Sequence, residues 1–153
     1  MGSTLARDPA FYALLTGSYQ RLVGKPLVPA GMDLRTGAAW LQDDAPFCVL
    51  AHDGAADPTF VYANAAAQRC FEYTWDEITT LPSRLSAEAP QREERRRLLE
   101  AVTRLGFATG YRGLRIAKSG RRFWIDEGTV WQLIDEHGVA HGQAATFPRW
   151  YDA

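Results

Sequence analysis

Three strand-like segments in the last third of the chain, joined by turns too short for any crossover, constrain its fold more than any other feature. Tyr111 to Ala117 leads into Ser119-Gly120, a hairpin turn signal. Arg122 to Leu133 then alternates with aromatic and β-branched residues, and Glu136-His137-Gly138 marks the next turn. Val139 to Phe147 closes the series. Consecutive strands linked this tightly must pair antiparallel, because a parallel pair needs a crossover of a dozen residues or more.

The upstream sequence supplies what such a sheet needs to bury itself. Asp8 suits an N-cap, Pro9 the first helical position and Gly24 a C-terminal stop. Between them Phe11, Leu14, Leu15, Leu22 and Val23 recur at helical spacing. Pro26, Pro29 and Gly31 mark a connector, and a short helix is expected from Leu34 to Leu41. Residues 1–44 thus read as an N-terminal helical flank of a single compact unit, with the main domain at 45–150. Within that domain, Phe47 to His52 reads as a buried strand and Thr59 to Ala63 as a second. Asn64 can cap a helix from Ala65 to Phe71, and Thr74 with Glu77 forms a capping-box pattern. Glu93 to Leu105 reads as a longer amphipathic helix ended by Gly106. Two strands, several helices and three strands predict an α+β fold: a five-stranded antiparallel sheet with helices on one face and the helical flank beside it.

Composition excludes several classes. The chain has 153 residues, enough for one core. Its net charge of −1 gives no basic excess to draw nucleic acid or an anionic membrane. The longest apolar run, near residue 45, is too short to span a bilayer, and no secretion signal opens the sequence. A cytoplasmic location is the expectation. The Met-Gly start lacks the Ser or Thr at position six of a myristoylation site, and residues 1–8 could include a cloning remnant. Cys48 and Cys70 read as reduced core thiols, without further ligands at zinc spacing.

Specific residues carry a family resemblance. Tyr62 to Ala67, then Cys70-Phe71-Glu72-Tyr73-Thr74-Trp75-Asp76-Glu77-Ile78, resembles the PAS pattern of an Asn-led helix followed by Phe-x-Tyr-x-x-x-Glu. Lys118 to Trp124 is similar to the PAS central hairpin. Leu81-Pro82-Ser83-Arg84-Leu85-Ser86-Ala87-Glu88, Arg92-Glu93-Glu94-Arg95 and Gly142-Gln143-Ala144-Ala145-Thr146-Phe147 resemble the MEKHLA domain, a PAS-like family of standalone bacterial domains and plant transcription-factor C-termini. The likeness runs from about Phe11 to Trp150. It implies a sheet-and-helix pocket and leaves the biochemical role open.

Several residues could carry chemistry there. In flavin-binding light sensors of the PAS class, a Cys-Arg pair stands where this chain has Ser83-Arg84. A hydroxyl cannot replace that thiol, so no flavin photo-adduct is expected. Arg84 could instead take a phosphate or carboxylate, or pair with Glu88 or Asp76, while Ser83 and Ser86 could cap turns. His52 ends a strand and could meet a ligand or act as acid/base; haem ligation is not expected of it. His137 and His141 sit two pleats apart on a strand, so no metal site is expected from them. Arg92 or Arg95 could reach the pocket rim from an otherwise solvated helical face. Trp124 and Trp131 are seven residues apart and fall on opposite faces unless Gly128 marks a bulge. One of them could line the pocket while the other meets the N-terminal helix. Of Asp126 and Glu127, one should face inward, with Arg115 or Arg122 as partner.

These residues leave three readings open. The first is a small-molecule-binding sensor or regulatory module, with His52, Asn64, Ser83, Arg84, Ser86, Arg122, Trp124, Asp126, Trp131 and Gln143 as ligand contacts and the ligand or cofactor unknown. The second is a small enzyme using His52 with Asp126 or Glu127 as acid and base, motivated by the absence of an attached output domain. The third is an interaction module, a homodimer formed through Phe11, Leu15 and Leu22 of the first helix.

Overall fold

The computed structural model describes residues 5–153, so the Met-Gly start and the Gly2-Ser3 pair lie outside the described residues. Helix α1, Pro9–Val23, begins as its sequence dictates: the Asp8 carboxylate accepts from the Phe11 N–H at 3.2 Å. It ends at Gly24, whose φ of 87° few other residues tolerate. Helix α2, Leu34–Asp43, is capped by Asp33. Strands β1 (Cys48–Asp53) and β2 (Phe60–Ala63) follow, then α3 (Ala65–Phe71), α4 (Trp75–Ile78), a short 3-10 turn at Ser83–Ser86 and α5 (Ala89–Leu105). Strands β3 (Phe107–Ile116), β4 (Arg122–Ile134) and β5 (Ala140–Phe147) form the expected meander. A sixth strand, β6 (Arg149–Asp152), adds to the five predicted. Past Pro148 the chain keeps the direction of β5 and pairs, in the same register, with the first half of β4.

The sheet is antiparallel throughout, in the order β2-β1-β5-β4-β3, with β6 also on β4. Its two faces bury different layers. On the inner face, α3 and α4 pack with Cys48, Leu50, Phe123, Ile125 and Phe147. On the outer face, α1 and α2 cover Val49, Ala51, Trp131, Leu133 and Ala144. The N-terminal flank therefore closes the face opposite α3, α4 and α5. Trp131 anchors it: fully buried, it donates from Nε1 to Ser18 Oγ at 3.0 Å and meets the Tyr19 ring edge-on at 4.9 Å. Truncating a tryptophan so placed costs about 3–5 kcal/mol.

This packing removes one residue from the dimer expectation. Leu15 is fully buried against the sheet of its own chain, while Phe11 and Leu22 pack around the same cluster and stay half-buried.

Alternation along β4 is broken once. Tyr111 pairs with Gly128 and Gly113 with Ile125, so β4 holds one more residue than β3 in that interval. Glu127, in the extra stretch, has φ 55°. Such a bulge moves every later side chain to the other face. Phe123 and Ile125 face inward before it, while Trp131 and Leu133 face outward after it. Gly128 had marked this position in the sequence.

A second glycine is fixed by close approach. Gly142 sits opposite Asp53 at φ 138°, and a Cβ there would lie 2.1 Å from the His52 carbonyl oxygen. Gly142→Ala should lower stability by about 2–3 kcal/mol. Urea unfolding measures this, and a loss below about 0.5 kcal/mol, the surface-substitution range, contradicts the register.

Candidate functional site

The inner face leaves space where α5 crosses it. Of the α5 side chains only Val102 is fully buried, so the helix roofs the sheet without filling it. Beneath it lies a cavity of about 70 Å³. That volume holds several non-hydrogen atoms, far more than one water. A wider cleft of about 550 Å³ adjoins it and shares His52, Arg95, Leu99 and Gln143 with its wall.

Strand pairing builds the polar end of the cavity. His52 on β1 and Gln143 on β5 are direct register partners, so both side chains emerge on the same face. Each is at least nine-tenths buried. The His52 Nδ1 lies 2.9 Å from the Asp53 carbonyl oxygen. A carbonyl only accepts, so this nitrogen carries the hydrogen and Nε2 is a bare acceptor in the neutral ring. The Gln143 amide nitrogen donates to Leu99 O at 3.0 Å and Thr103 Oγ1 at 2.8 Å, which ties β5 to α5. That orientation turns its carbonyl oxygen away from those partners. His52 Nε2 and Gln143 Oε1 are the two buried side-chain polar atoms without a hydrogen-bond partner among the described residues. Leaving such an atom unmatched costs about 1–3 kcal/mol.

The other polar groups are cations. Arg115 on β3 is 5 % exposed and donates to the Leu114 carbonyl oxygen at 2.7 Å and to the Tyr111 hydroxyl. Arg95 on α5 donates to Ser83 Oγ at 2.6 Å. Neither forms an ion pair with a carboxylate among the described residues. Burial, reinforced by the like charge of Arg115, pushes Arg95 down to about 10. Burial pushes Tyr111 up to about 12, and its hydroxyl donates to Glu94 at 2.9 Å. Phe60, Phe71, Phe147 and Leu98 supply apolar wall.

The structure brings some of the expected ligand contacts together and separates others. His52, Ser86 and Gln143 line the cavity. Ser83 is buried and reaches it through Arg95, and Arg84 lines the outer cleft, paired with Asp57 at 3.1 Å in place of Glu88 or Asp76. Asn64 is a structural residue: fully buried, it accepts from the Val49 and Ala67 N–H groups and donates to the Leu41 and Phe47 carbonyls. With every hydrogen-bonding group satisfied, it has nothing to offer a ligand. Arg122 is held by Glu88 outside the cavity. Trp124 lies on the outer face beneath the Arg112 guanidinium, 4.0 Å from its ring centre, and Trp131 belongs to the α1 layer. Neither tryptophan lines the cavity.

The carboxylate expectation is also corrected. Asp126 accepts from the Glu127 backbone N–H at 3.1 Å, and Glu127 pairs with Arg149 at 3.0 Å. Asp126 faces outward by alternation after Ile125 and Glu127 stands in the bulge, so neither lines the cavity beside His52. His141 lies 2.8 Å from Asp135 and braces the last turn. Among the described residues no group of three metal-ligating side chains converges, and no helix is long and apolar enough to cross a membrane. Cys48 and Cys70 are free and buried, and no cysteine lines the cavity. Arg115 and Tyr111 were missing from the expected ligand contacts, and Arg95 stood only as a candidate for the pocket rim. The signal for Arg115 was its alternation with Gly113 and buried Ala117; for Arg95 it was the rotation of one helix.

An antiparallel sheet of this order with helices crossing its inner face is a PAS-like α+β fold, and solved structures agree. A PAS domain from Colwellia psychrerythraea superimposes with a TM-score of 0.62 at 16 % identity, over 76 % of this chain and 92 % of that one. A fungal LOV domain photoreceptor gives 0.58 at 20 %, over 97 % and 99 %. A PAS domain from a two-component sensor histidine kinase gives 0.54 at 16 %, over 72 % and 87 %. The MEKHLA domain model matches residues 10–152. The chain belongs to the MEKHLA domain family. No curated protein matches it.

The state of His52 predicts a pH dependence. Burial lowers its pKa from the ordinary 6.5, with Arg95 adding to the fall and Asp53 opposing it. The unfolded chain then binds the proton that the folded one refuses, so stability is full above pH 6.5 and is lost as pH falls below it. His52→Phe should flatten this loss relative to the parent. Urea unfolding from about pH 7.5 to about pH 5.5 tests it. Parallel curves for the two proteins contradict a buried neutral histidine.

Proposed function

We propose that this domain is a small-molecule-binding sensor or regulatory module whose ligand lies under α5. The observation that carries the reading is the pair of orphaned acceptors, His52 Nε2 and Gln143 Oε1, on register-paired residues that both line one cavity. Buried polar groups are almost always satisfied, and two unmet acceptors on residues that line one cavity ask for a donor from outside the chain. Apolar walls with a few convergent polar groups are the usual composition of a ligand pocket. The PAS-like fold supports the sensor part of the reading by analogy. An acid/base role for His52 would need a second group at the cavity, and the strand carboxylates are elsewhere.

His52→Phe separates ligand binding from folding, because removing an unmatched acceptor costs little while removing its ligand contact costs affinity. Its unfolding free energy should stay within about 1 kcal/mol of the parent. Small-molecule extract from a bacterial lysate should raise the melting temperature of the parent and leave the variant unmoved. An extract that shifts neither protein, or both equally, contradicts the reading.

A further inference from the structure

We propose that the molecule this cavity takes is a small organic monocarboxylic acid, its carboxylate between Arg95 and Arg115, its N–H or O–H group on His52 and Gln143, and its apolar body against Phe60, Phe71 and Phe147. The proposal rests on the small-molecule reading above and adds the chemical class.

Two cations stand at one cavity, Arg115 buried and Arg95 half-buried where the cavity meets the outer cleft. A charge drawn out of water is normally paired, and here two of like sign line one cavity with no carboxylate on either. The nearest acids are engaged elsewhere: Glu94 accepts from the Tyr111 hydroxyl, and Asp57 is held by Arg84. Neutral acceptors meet part of the need, Ser83 for Arg95, and Leu114 and Tyr111 for Arg115. They satisfy hydrogen bonds and leave the charge. Apolar residues at such positions generally stabilise a fold. Guanidiniums kept there suit a task in which the counter-charge arrives from outside, and their planar fork matches a carboxylate.

The remaining walls narrow the class. His52 Nε2 and Gln143 Oε1 only accept, so the ligand must donate near them. No carboxylate lines the inner cavity, so the donor is neutral, a hydroxyl or amide-type N–H. A phosphate monoester would bring close to two negative charges into a space walled mostly by hydrocarbon, which favours the monoanion.

The test compares a panel of aryl and branched aliphatic 2-hydroxy monocarboxylic acids, each beside its primary amide, its hydroxyl-free acid and the corresponding aryl or alkyl phosphate. Calorimetry and thermal shift at pH 7 should show acids binding at least tenfold more tightly than their amides. Arg95→Met and Arg115→Met should each erase that preference while keeping or raising the melting temperature of the ligand-free protein. Amides equal to acids, or phosphates tighter than both, overturn the carboxylate class and leave the pocket reading standing. No binding by any member, with His52→Phe identical to the parent throughout, overturns both. A fall of more than about 5 °C in the ligand-free arginine variants, about 1–2.5 kcal/mol for a domain of this size, makes the cations structural and overturns the proposal independently of any ligand.

Discussion

The ladder between β1 and β5 joins segments nearly a hundred positions apart, with Thr146 Oγ1 reaching back to the Cys48 carbonyl across 98 residues at 2.9 Å. Its register runs without interruption from Cys48 opposite Phe147 to Asp53 opposite Gly142. Alternation along it sets the rest. Cys48 and Leu50 enter the layer beneath α3, Val49 and Ala51 enter the layer beneath α1 and α2, and His52 is delivered inward beside Gln143. A slip of one residue would exchange the two layers and bury the wrong set. Gly142 permits the tight approach at the end of the ladder, where the polar wall of the cavity begins.

The bulge in β4 makes the second half of the site possible. It lets one strand present Phe123 and Ile125 to the inner layer and Trp131 to the outer one, and it takes Glu127 out of the alternation that would have turned it inward, while Asp126 faces outward beside Ile125. Arg115 consequently lacks the acid that would have neutralised it. The inner face thus holds unmatched acceptors and unmatched cations under a helix with a single fully buried side chain. Each feature lowers the stability of the ligand-free fold, and all occur around one cavity. Local violations of folding rules concentrate where a protein binds something.

The elements with chemical punctuation were legible in sequence. Asp8, Pro9 and Gly24 bound α1 at the residues where it starts and stops, and Asn64 caps α3 as read. Helix α5 begins at Ala89, before the predicted Glu93, because no side chain caps it and Pro90 stands in its first turn. Strand β6 was hidden behind Pro148, and four residues are too few to show a period. The site was harder to read. His52, Ser86 and Gln143, expected as ligand contacts, do line the cavity, His52 and Gln143 as strand partners and Ser86 from the 3-10 turn. Asn64 was misjudged, since a polar residue that caps a helix and one that meets a ligand look alike until partners are counted. Arg92 and Arg95 were both candidates for the pocket rim within a run of alternating charges, and only tertiary contact shows that Arg95 is the one that lines the cavity.

Long-range proton–nitrogen NMR of the His52 imidazole tests the central claim most directly. In the ligand-free protein it should show a hydrogen on Nδ1 and a bare Nε2, and a cognate organic acid should move the Nε2 resonance to its hydrogen-bonded position. A hydrogen on Nε2 in the free protein, or an Nε2 resonance indifferent to every acid that raises the melting temperature, would contradict it.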